Sequence, residues 1–226
     1  MNDKELVAHE ALKYVKNNSI IGLGTGSTAN LFIQALAQKI KKESLDIKVV
    51  ASSTVSQIKA IEFRLNYISL DQIDTIDLYV DGADEVTHNL EVLKGRGYDL
   101  LREKLLARAS KQFIVIGDQS KMVTKIGEKF PIPIEISPIA WKITQNLIEK
   151  IADNCILRPN TAGDAFAITS DGNYVLDCQF NYTNLKDLSD VIAKTPGVIE
   201  YGIFQNIANI ALIAESNRVS TITLEA

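Results

Sequence analysis

Cysteine and histidine are scarce in this sequence, whose 226 residues contain two of each. Cys155 and Cys178 do not form a Cys-x-x-Cys pair, and His9 and His88 are too few to complete a zinc or iron–sulfur ligand set with them. We therefore expect two small buried thiols that have neither a disulfide nor a metal role.

The sequence also lacks long apolar runs and an excess of positive charge. Gly, Asn or charged residues interrupt the apolar segments well before the ~18 residues that a membrane helix needs. Residues 1–5 carry charges of both signs, unlike a secretion signal. The 24 basic and 28 acidic side chains give a formal net charge of -4, which argues against nucleic acid or an anionic membrane as the main partner. We expect a cytoplasmic protein.

What the sequence does contain is a composition typical of folded globular proteins, with 46% hydrophobic and 23% charged residues. Short apolar strands alternate with helical patterns in the first half of the chain. Strands are predicted near 19–23, 47–51, 77–80 and 113–117, and helices near 4–16, 27–41, from 54, and 100–110. This alternation predicts an α/β fold with a mostly parallel sheet and helices on both faces.

Residues 129–133 mark a change in organisation, because two prolines there favour extended structure over helix. Beyond them the patterns predict two helices, a hairpin turn and two final strands, near 138–153, 185–193, 170–173, 210–213 and 221–224. We expect a small α+β domain at 129–202. The final strands should return to the first domain, 1–128, and complete it as 203–226.

A glycine-rich turn, Gly22-Leu23-Gly24-Thr25-Gly26-Ser27-Thr28, connects the first strand to a helix. Its backbone N–H groups, its hydroxyl groups and the helix N-terminus are suited to an anion such as phosphate. The turn is not a nucleoside-triphosphate loop, since no Gly-Lys-Ser/Thr follows, and it does not match the G-x-G-x-x-G dinucleotide fingerprint. A plain tight turn is the alternative interpretation.

Asp81-Gly82-Ala83-Asp84-Glu85 directly follows another strand. Ligands of open α/β sheets bind beyond the carboxyl ends of strands, so these carboxylates are well placed for chemistry. Together with the cations of Lys94-Gly95-Arg96-Gly97 and Lys121, they predict a polar pocket for a small anion. A solvated acidic turn and a magnesium site are the alternatives.

Glu103 lies one helical turn after Asp99. Like charges at that spacing favour a proton on one carboxyl group and raise its pKa. The position therefore suits a general base that works near neutral pH. A solvated helix glutamate is the alternative.

Taken together, these motifs resemble those of the ribose-5-phosphate isomerase A family. The resemblance runs in order over essentially the whole chain, and Asp-Gly-Ala-Asp-Glu is its most specific part. It rests on segments 24–28, 79–85, 94–97 with 102–104, and 118–121. It implies a Rossmann-like domain with an inserted ferredoxin-like α+β domain, in a homodimer or a dimer of dimers.

The resemblance implies that the protein interconverts ribose 5-phosphate and ribulose 5-phosphate in the non-oxidative pentose phosphate pathway, with no cofactor or metal. Glu103 would carry the proton between C2 and C1 through a cis-enediolate, and Lys94 would stabilise the enediolate oxygen. Asp81 would assist ring opening, and Asp84 would hold the sugar hydroxyls. The remaining implied substrate contacts are Thr25, Gly26, Ser27, Thr28, Gly82, Ala83, Gly95, Arg96, Gly97 and Lys121.

The chain departs from the family pattern just after Lys94. Where the family commonly has Lys-Gly-Gly-Gly followed by small residues, this sequence has Arg96, Tyr98 and Asp99. We expect the backbone of Arg96 to serve as the glycine backbone does. Tyr98 and Asp99 should add bulk and charge close to Glu103 and so affect its pKa and the shape of the pocket.

Two other classes of function are compatible with such a fold, since fold does not decide function. A sugar-phosphate sensor would need a DNA-binding segment, for which the residues before the first helix leave no room. The second class is a different enzyme, such as an amino-sugar phosphate deaminase or a coenzyme A transferase. A deaminase would be expected to use histidine, and we interpret His88 as a surface residue.

Overall fold

The computed structural model describes residues 2–224; Met1, Glu225 and Ala226, which the expected domain ranges include, lie outside the described residues. Between residues 2 and 224 the strands are β1 (Ser19–Leu23), β2 (Ile47–Ala51), β3 (Asn66–Tyr67), β4 (Leu78–Gly82), β5 (Glu85–Val86), β6 (Val92–Leu93), β7 (Phe113–Asp118), β8 (Ile132–Ile136), β9 (Asn154–Leu157), β10 (Tyr174–Gln179), β11 (Val198–Tyr201), β12 (Ile203–Phe204), β13 (Ile210–Glu215) and β14 (Arg218–Thr223). The helices are α1 (Asp3–Ala11), α2 (Ser27–Glu43), α3 (Thr54–Glu62), α4 (Leu100–Ala109), α5 (Trp141–Ile148) and α6 (Leu185–Lys194). None of these helices has both the length and the apolar character needed to cross a bilayer.

The main sheet contains seven strands in the order β14-β13-β7-β4-β1-β2-β3. Neighbouring strands pair in parallel except β13 and β14, which form a hairpin. Parallel neighbours need a long crossover connection, which the intervening helices provide. The predicted α/β class is confirmed, and so is the return of the final strands to the first sheet.

The main sheet is covered on both faces because alternate residues of its central strands point in opposite directions. Leu78 and Val80 of β4 pack in one buried cluster with residues of α1 and α2, whereas Tyr79 packs in a second cluster with Leu106 of α4. Full burial of a large apolar side chain contributes roughly 1.5–3 kcal/mol. The two clusters therefore hold the strands of the main sheet, and with them the strand ends, in a fixed arrangement.

A second sheet of four antiparallel strands, in the order β11-β8-β10-β9, lies within residues 132–201, which we call the small unit. Its element order, β8-α5-β9-β10-α6-β11, is that of a ferredoxin-like unit. The helix α5 is shorter than the predicted 138–153. It starts later because Ala140 before it has a left-handed backbone with φ 55°, and it ends at Ile148. The domain limits at 129 and 202 stay a prediction.

The two cysteines are paired in the small unit. Cys155 on β9 and Cys178 on β10 are register partners whose Cα atoms lie 4.1 Å apart, and a disulfide joins them. The expectation of two unbonded thiols is therefore wrong. The sequence did not reveal the pair because only the antiparallel register of β9 and β10 brings these positions together.

A third sheet, β12-β6-β5, consists of strands of two residues each and was not predicted. It fixes the chain at Lys94, whose backbone N–H donates to the Gly202 carbonyl at 2.9 Å. A Cβ on Gly202 would lie 2.3 Å from the Lys94 carbonyl oxygen. The close approach of these two backbone segments therefore requires glycine at position 202.

Candidate active site

The candidate site lies at the carboxyl ends of three neighbouring strands. Thr25 follows β1, Asp81 is the next-to-last residue of β4, and Lys121 follows β7. Because β7, β4 and β1 are adjacent and parallel, their carboxyl ends meet at one edge of the sheet, where ligands of open α/β sheets bind. Lys94, just after β6, and the first turn of α4 complete this region.

Asp81 is fully buried, and both of its carboxylate oxygens are occupied. Oδ1 accepts hydrogen bonds from the backbone N–H groups of Thr25, at 2.9 Å, and Gly82, at 2.7 Å. Oδ2 accepts the Tyr79 hydroxyl and lies 2.7 Å from Lys94 Nζ. A Cβ on Gly24 would lie 2.1 Å from Oδ1, so the glycine-rich turn also makes the room that this carboxylate needs.

Tyr79 is a site residue that the sequence analysis missed. Burial, together with the nearby charge of Asp81, raises the pKa of its hydroxyl well above the ordinary value, so the group stays protonated and donates to Asp81. Tyr79 precedes Asp81 by two residues in β4, and side chains at that spacing lie on the same face of a strand. This alternation was the signal that could have identified it.

Lys94 is buried among groups that favour its charged form. Its Nζ donates to the Gly82 carbonyl at 2.8 Å and lies 2.7 Å from Asp81 Oδ2 and 3.7 Å from Glu103 Oε2. Burial by itself would lower the pKa of Lys94, but the carboxylates of Asp81 and Glu103 outweigh it and raise the pKa. The site therefore contains a fixed cation that solvent barely reaches.

Glu103 is 2% exposed, so the alternative of a solvated helix glutamate is wrong. Burial, and after it the charges of Asp81, Asp84 and Asp99, raises its pKa to about 8, although Lys94 acts in the opposite direction. Its Oε2 atom is buried and has no hydrogen-bond partner. A carboxyl group with this pKa and a free oxygen can act as a general base near neutral pH.

The opposite end of the site is built by the start of α2. Gly26, with φ 109°, is its N-cap residue, and the helix begins at Ser27. Lys4 Nζ donates to Ser27 Oγ at 3.0 Å, and Lys121 also lines this region. Free backbone N–H groups of a helix N-terminus, hydroxyl groups and two lysines together favour an anion. Lys4 was not among the predicted site residues, because it lies far from the other motifs along the chain.

The Thr25 side chain is held by serine residues that the sequence analysis also missed. Its hydroxyl group donates to Ser53 Oγ and lies 3.0 Å from Ser56 Oγ. Ser53 is the N-cap residue of α3 and also accepts from the Ser56 backbone N–H at 3.1 Å. These bonds fix the glycine-rich turn to the start of α3. An N-cap serine is recognisable in a sequence, but its contact with Thr25 is not.

Asp84 and Arg96 meet through the Arg96 backbone. The Arg96 N–H donates to Asp84 Oδ2 at 3.3 Å, while the exposed guanidinium group lies 4.1 Å from the centre of the Phe130 ring. The backbone of Arg96 therefore faces the site, as expected, and its side chain is held against Phe130. Burial raises the pKa of Asp84 above its ordinary value, against the lowering effect of Lys94.

Glu85 does not belong to the site. It is fully buried, and its carboxylate accepts the backbone N–H groups of Gly127, Lys129 and Phe130 at 2.6–2.8 Å. The grouping of three carboxylates expected from the sequence is therefore wrong. The side chains of the neighbouring residues Asp84 and Glu85 point to opposite sides of the chain. Among residues 2–224, no three His, Cys, Asp or Glu side chains are grouped as metal ligands.

Two further expectations concern residues near the site. His88 is exposed, which confirms its interpretation as a surface residue. Asp99 is the N-cap residue of α4, but its carboxylate accepts the Ser170 backbone N–H at 2.9 Å rather than capping the helix. Its charge still contributes to the raised pKa of Glu103. Tyr98 has a left-handed backbone with φ 77°. The guanidinium group of Arg158 lies over the Tyr98 ring, 5.5 Å from the ring centre.

These groups surround a cavity of about 230 Å³. Every predicted site residue except Asp81 lines the cavity, and Lys4 lines it as well. Asp81 lies behind Lys94, out of contact with the cavity. One end of the cavity thus favours an anion, while the other offers a carboxylate with a raised pKa beside a buried ammonium group. This arrangement suits proton transfer on a small, anionic, hydroxyl-bearing molecule.

Comparisons with known proteins point to one family. Residues 48–218 match the family model described as ribose 5-phosphate isomerase A (phosphoriboisomerase A). Relatives named ribose-5-phosphate isomerase A occur in Pyrococcus abyssi, 39% identical over 97% of this chain and 96% of the relative, and in Pyrococcus horikoshii, 41% identical over 93% of each.

Solved structures agree with these relatives. Ribose 5-phosphate isomerase A from Methanocaldococcus jannaschii has a TM-score of 0.92 and 35% identity, with 98% of both chains covered. A D-ribose-5-phosphate isomerase in complex with phospho-erythronic acid has a TM-score of 0.94 and 38% identity, with 99% of this chain and 100% of that chain covered. The match extends through the small unit as well as the main sheet.

Proposed function

The chain belongs to the ribose 5-phosphate isomerase A family, and we propose that it interconverts D-ribose 5-phosphate and D-ribulose 5-phosphate in the cavity at the end of β1 and β4. The observation that carries the proposal is the Glu103 carboxylate, which is buried, unpartnered at Oε2 and 3.7 Å from Lys94 Nζ. An aldose–ketose isomerisation needs one base that can remove and return a proton.

Glu103 removes the proton from C2 of the open-chain sugar, and the electron pair of that C–H bond forms the C1–C2 double bond of a cis-enediolate. The same carboxyl group then returns the proton to C1 while the proton of the C2 hydroxyl passes to O1, so that C2 becomes the carbonyl carbon of the ketose. Its raised pKa makes it a stronger base than an ordinary glutamate and lets it hold the proton between the two steps. No redox cofactor is required, because C1 is reduced as C2 is oxidised.

Lys94 stabilises the negative charge that develops on the enediolate oxygen. Its ammonium group is held by Asp81 and by the Gly82 carbonyl before substrate arrives, so little reorganisation accompanies the reaction. Asp84, half-buried on the cavity wall, binds the sugar hydroxyls. Ring opening, which the resemblance assigns to Asp81, requires one of the Asp81 oxygens to become accessible from the cavity as the sugar enters.

The phosphate group binds at the start of α2, between Lys4 and Lys121. Support for this orientation comes from the charge at the two ends of the cavity. A dianion is favoured beside the helix N-terminus and the two lysines, and it is disfavoured beside Glu103 and Asp84. Gly82, Ala83, Gly95 and the Arg96-Gly97 backbone complete the substrate contacts that we propose.

Incubation with ribose 5-phosphate in heavy water tests the reaction. We expect ribulose 5-phosphate to form and deuterium to enter the sugar at the carbon next to the carbonyl, because the proton held by Glu103 exchanges with solvent in some turnovers. Product without deuterium would show that the transferred hydrogen never exchanges with solvent, the pattern of a hydride shift or of a fully shielded proton. A protein that forms no ribulose 5-phosphate would refute the proposed function.

We also propose a homodimer in the cytoplasm, where a charged sugar phosphate is retained. The outer face of α3 leaves Val55, Ile58 and Ile61 between 51 and 57% exposed, and exposed apolar patches commonly mark interfaces. Sedimentation equilibrium should give twice the chain mass of 24.9 kDa. Ile58→Lys should lower the mass toward that of one chain, whereas Lys48→Met, on exposed β2 surface, should not.

A further inference from the structure

The first turn of α4, which carries Glu103, is bonded to the small unit on both sides of that residue. Before it, the Leu101 backbone N–H donates to Glu135 Oε2 at 3.1 Å, and Arg102 forms an ion pair with Asp171 at 2.7 Å. After it, Lys104 Nζ contacts the Glu200 carboxylate and donates to the Tyr201 carbonyl at 2.6 Å. The chain segment that contains the proposed base is therefore attached to a second sheet.

Glu135 is the buried centre of these connections. It belongs to β8, an inner strand of the small sheet, and is fully buried. While Oε2 accepts Leu101, Oε1 accepts the Thr169 hydroxyl and the Asn173 side-chain amide, both at 2.9 Å. One carboxylate thus joins the turn that begins at Thr169 to the backbone of α4.

Glu135 has the function of a helix cap that comes from a distant part of the chain. The first backbone N–H groups of a helix have no partner within it. Asp99 occupies the N-cap position of α4, but its side chain is bonded to Ser170, so it does not satisfy them. Glu135 accepts one of these N–H groups, and a negative charge is favourable at a helix N-terminus.

The direction of the Glu103 side chain depends on this turn. Glu103 Oε2 has no hydrogen-bond partner, and Lys94 Nζ lies 3.7 Å from it. With so little holding the carboxylate directly, its location in the cavity is set mainly by the backbone from Leu101 to Glu103. A displacement of about 1 Å in a catalytic group can lower a rate by about 100-fold.

The same unit also holds the neighbouring segment of the cavity wall, which follows Lys94. Arg158, which forms an ion pair with Asp177, donates from Nη1 to the Gly95 carbonyl at 2.8 Å. Arg158 is 8% exposed, so this bond is largely removed from water. Both α4 and the segment after Lys94 are therefore fixed from the small unit.

We propose that Glu135 is a positioning residue of the isomerisation, which fixes the first turn of α4 so that the Glu103 carboxylate faces the cavity. The proposal rests on the function proposed above. It gives the small unit a part in catalysis, although the unit contributes none of the residues that line the cavity. Its effect is on the reacting geometry and leaves the phosphate end of the cavity unchanged.

Two conservative variants test the proposal, because they separate the length of the side chain from its charge. Glu135→Gln keeps an oxygen that can accept the Leu101 N–H, while its amide group can donate to the Thr169 hydroxyl and to the Asn173 side-chain oxygen once that amide is flipped. We expect kcat within threefold of the unsubstituted protein. Glu135→Asp keeps the charge but is one methylene shorter, so it cannot reach Leu101 and Thr169 together. We expect its kcat to fall at least tenfold while KM stays within twofold.

Hydrogen exchange of the Leu101 amide, measured without substrate, gives a second readout. Exchange should accelerate at least tenfold in Glu135→Asp and remain unchanged in Glu135→Gln. Glu149→Asp, the same substitution at an exposed position of the small unit, is the matched control and should alter neither kcat nor this exchange rate. Thermal unfolding of each variant shows whether it is folded under the assay conditions.

The outcomes distinguish this proposal from the proposed function. If the unsubstituted protein does not isomerise ribose 5-phosphate, the proposed function is wrong. The exchange rates then still test whether Glu135 fixes the Leu101 amide. If that protein is active but Glu135→Asp keeps kcat within twofold, or loses activity only through KM, the positioning role is wrong. Equal loss in both variants would also reject it, because charge rather than geometry would then be responsible.

Discussion

Glu103→Gln is expected to lower kcat for ribose 5-phosphate by at least two orders of magnitude and to leave KM within about threefold, the range typical of losing a general base. Glutamine has nearly the same shape and fits the same buried position, but its amide cannot accept the C2 proton. The groups that we propose for binding the phosphate, Lys4, Lys121 and the start of α2, lie at the other end of the cavity. Steady-state kinetics over a range of substrate concentrations separates the two effects.

Glu62→Gln provides the control, since Glu62 is an exposed helical glutamate in α3. Its kinetic constants should equal those of the unsubstituted protein. Turnover of Glu103→Gln within tenfold of that protein would mean that another group removes the proton. A large rise in KM with kcat unchanged would instead indicate that Glu103 binds the sugar without acting on it.

The raised pKa of Glu103 also links activity to stability. Only the ionised carboxylate can accept a proton, so kcat/KM, which reports the protonation state of the free enzyme, should rise with pH through the pKa of about 8. Between the ordinary pKa of 4.5 and about 8, the folded protein binds a proton that the unfolded chain has released. Stability therefore falls as pH rises through this window. Glu103→Gln should remove that loss, so its Tm relative to the unsubstituted protein should increase from pH 5 to pH 8.

Much of the fold and the candidate site could be predicted from local patterns. The alternation of strands and helices gives the parallel sheet, and residues that directly follow such strands meet at one edge by geometry. Thr25, Asp81 and Lys121 could be placed in this way. The role of Glu103 required the family resemblance, because the sequence pattern alone favoured a solvated helix glutamate over a general base.

The remaining features depend on contacts between distant segments. Glu85 resembles Asp84 in sequence but binds backbone N–H groups from the 127–130 loop. Asp99 has the residue type and position of a helix cap, yet its carboxylate is used by Ser170 while Glu135 binds the helix. In both cases the role of the side chain is decided by a contact with a distant part of the chain. The bond from Leu101 to Glu135 depends on the register of the small sheet, which periodicity does not determine.

Lys94→Met should lower kcat by at least three orders of magnitude, because two effects act together. The enediolate oxygen loses its fixed cation, and loss of one such charged donor costs about 100- to 1000-fold. In addition, Lys94 lowers the pKa of Glu103, so its removal raises that pKa further and leaves the base protonated near neutral pH. Residual activity should therefore reach its maximum at higher pH than in the unsubstituted protein.

The design must separate this loss from unfolding, since removal of one partner from a buried ion pair typically costs about 3–5 kcal/mol. The double variant Asp81→Asn with Lys94→Met removes both charges and should recover most of the stability without recovering kcat. Lys48→Met, an exposed lysine on β2, controls for the substitution itself. Lys94→Arg keeps the charge but replaces a compact ammonium group with a planar guanidinium group. Its kcat should therefore lie between that of the unsubstituted protein and that of Lys94→Met. If folded Lys94→Met retained kcat within tenfold, the developing charge would have to be stabilised elsewhere, and the role proposed for Lys94 would be wrong.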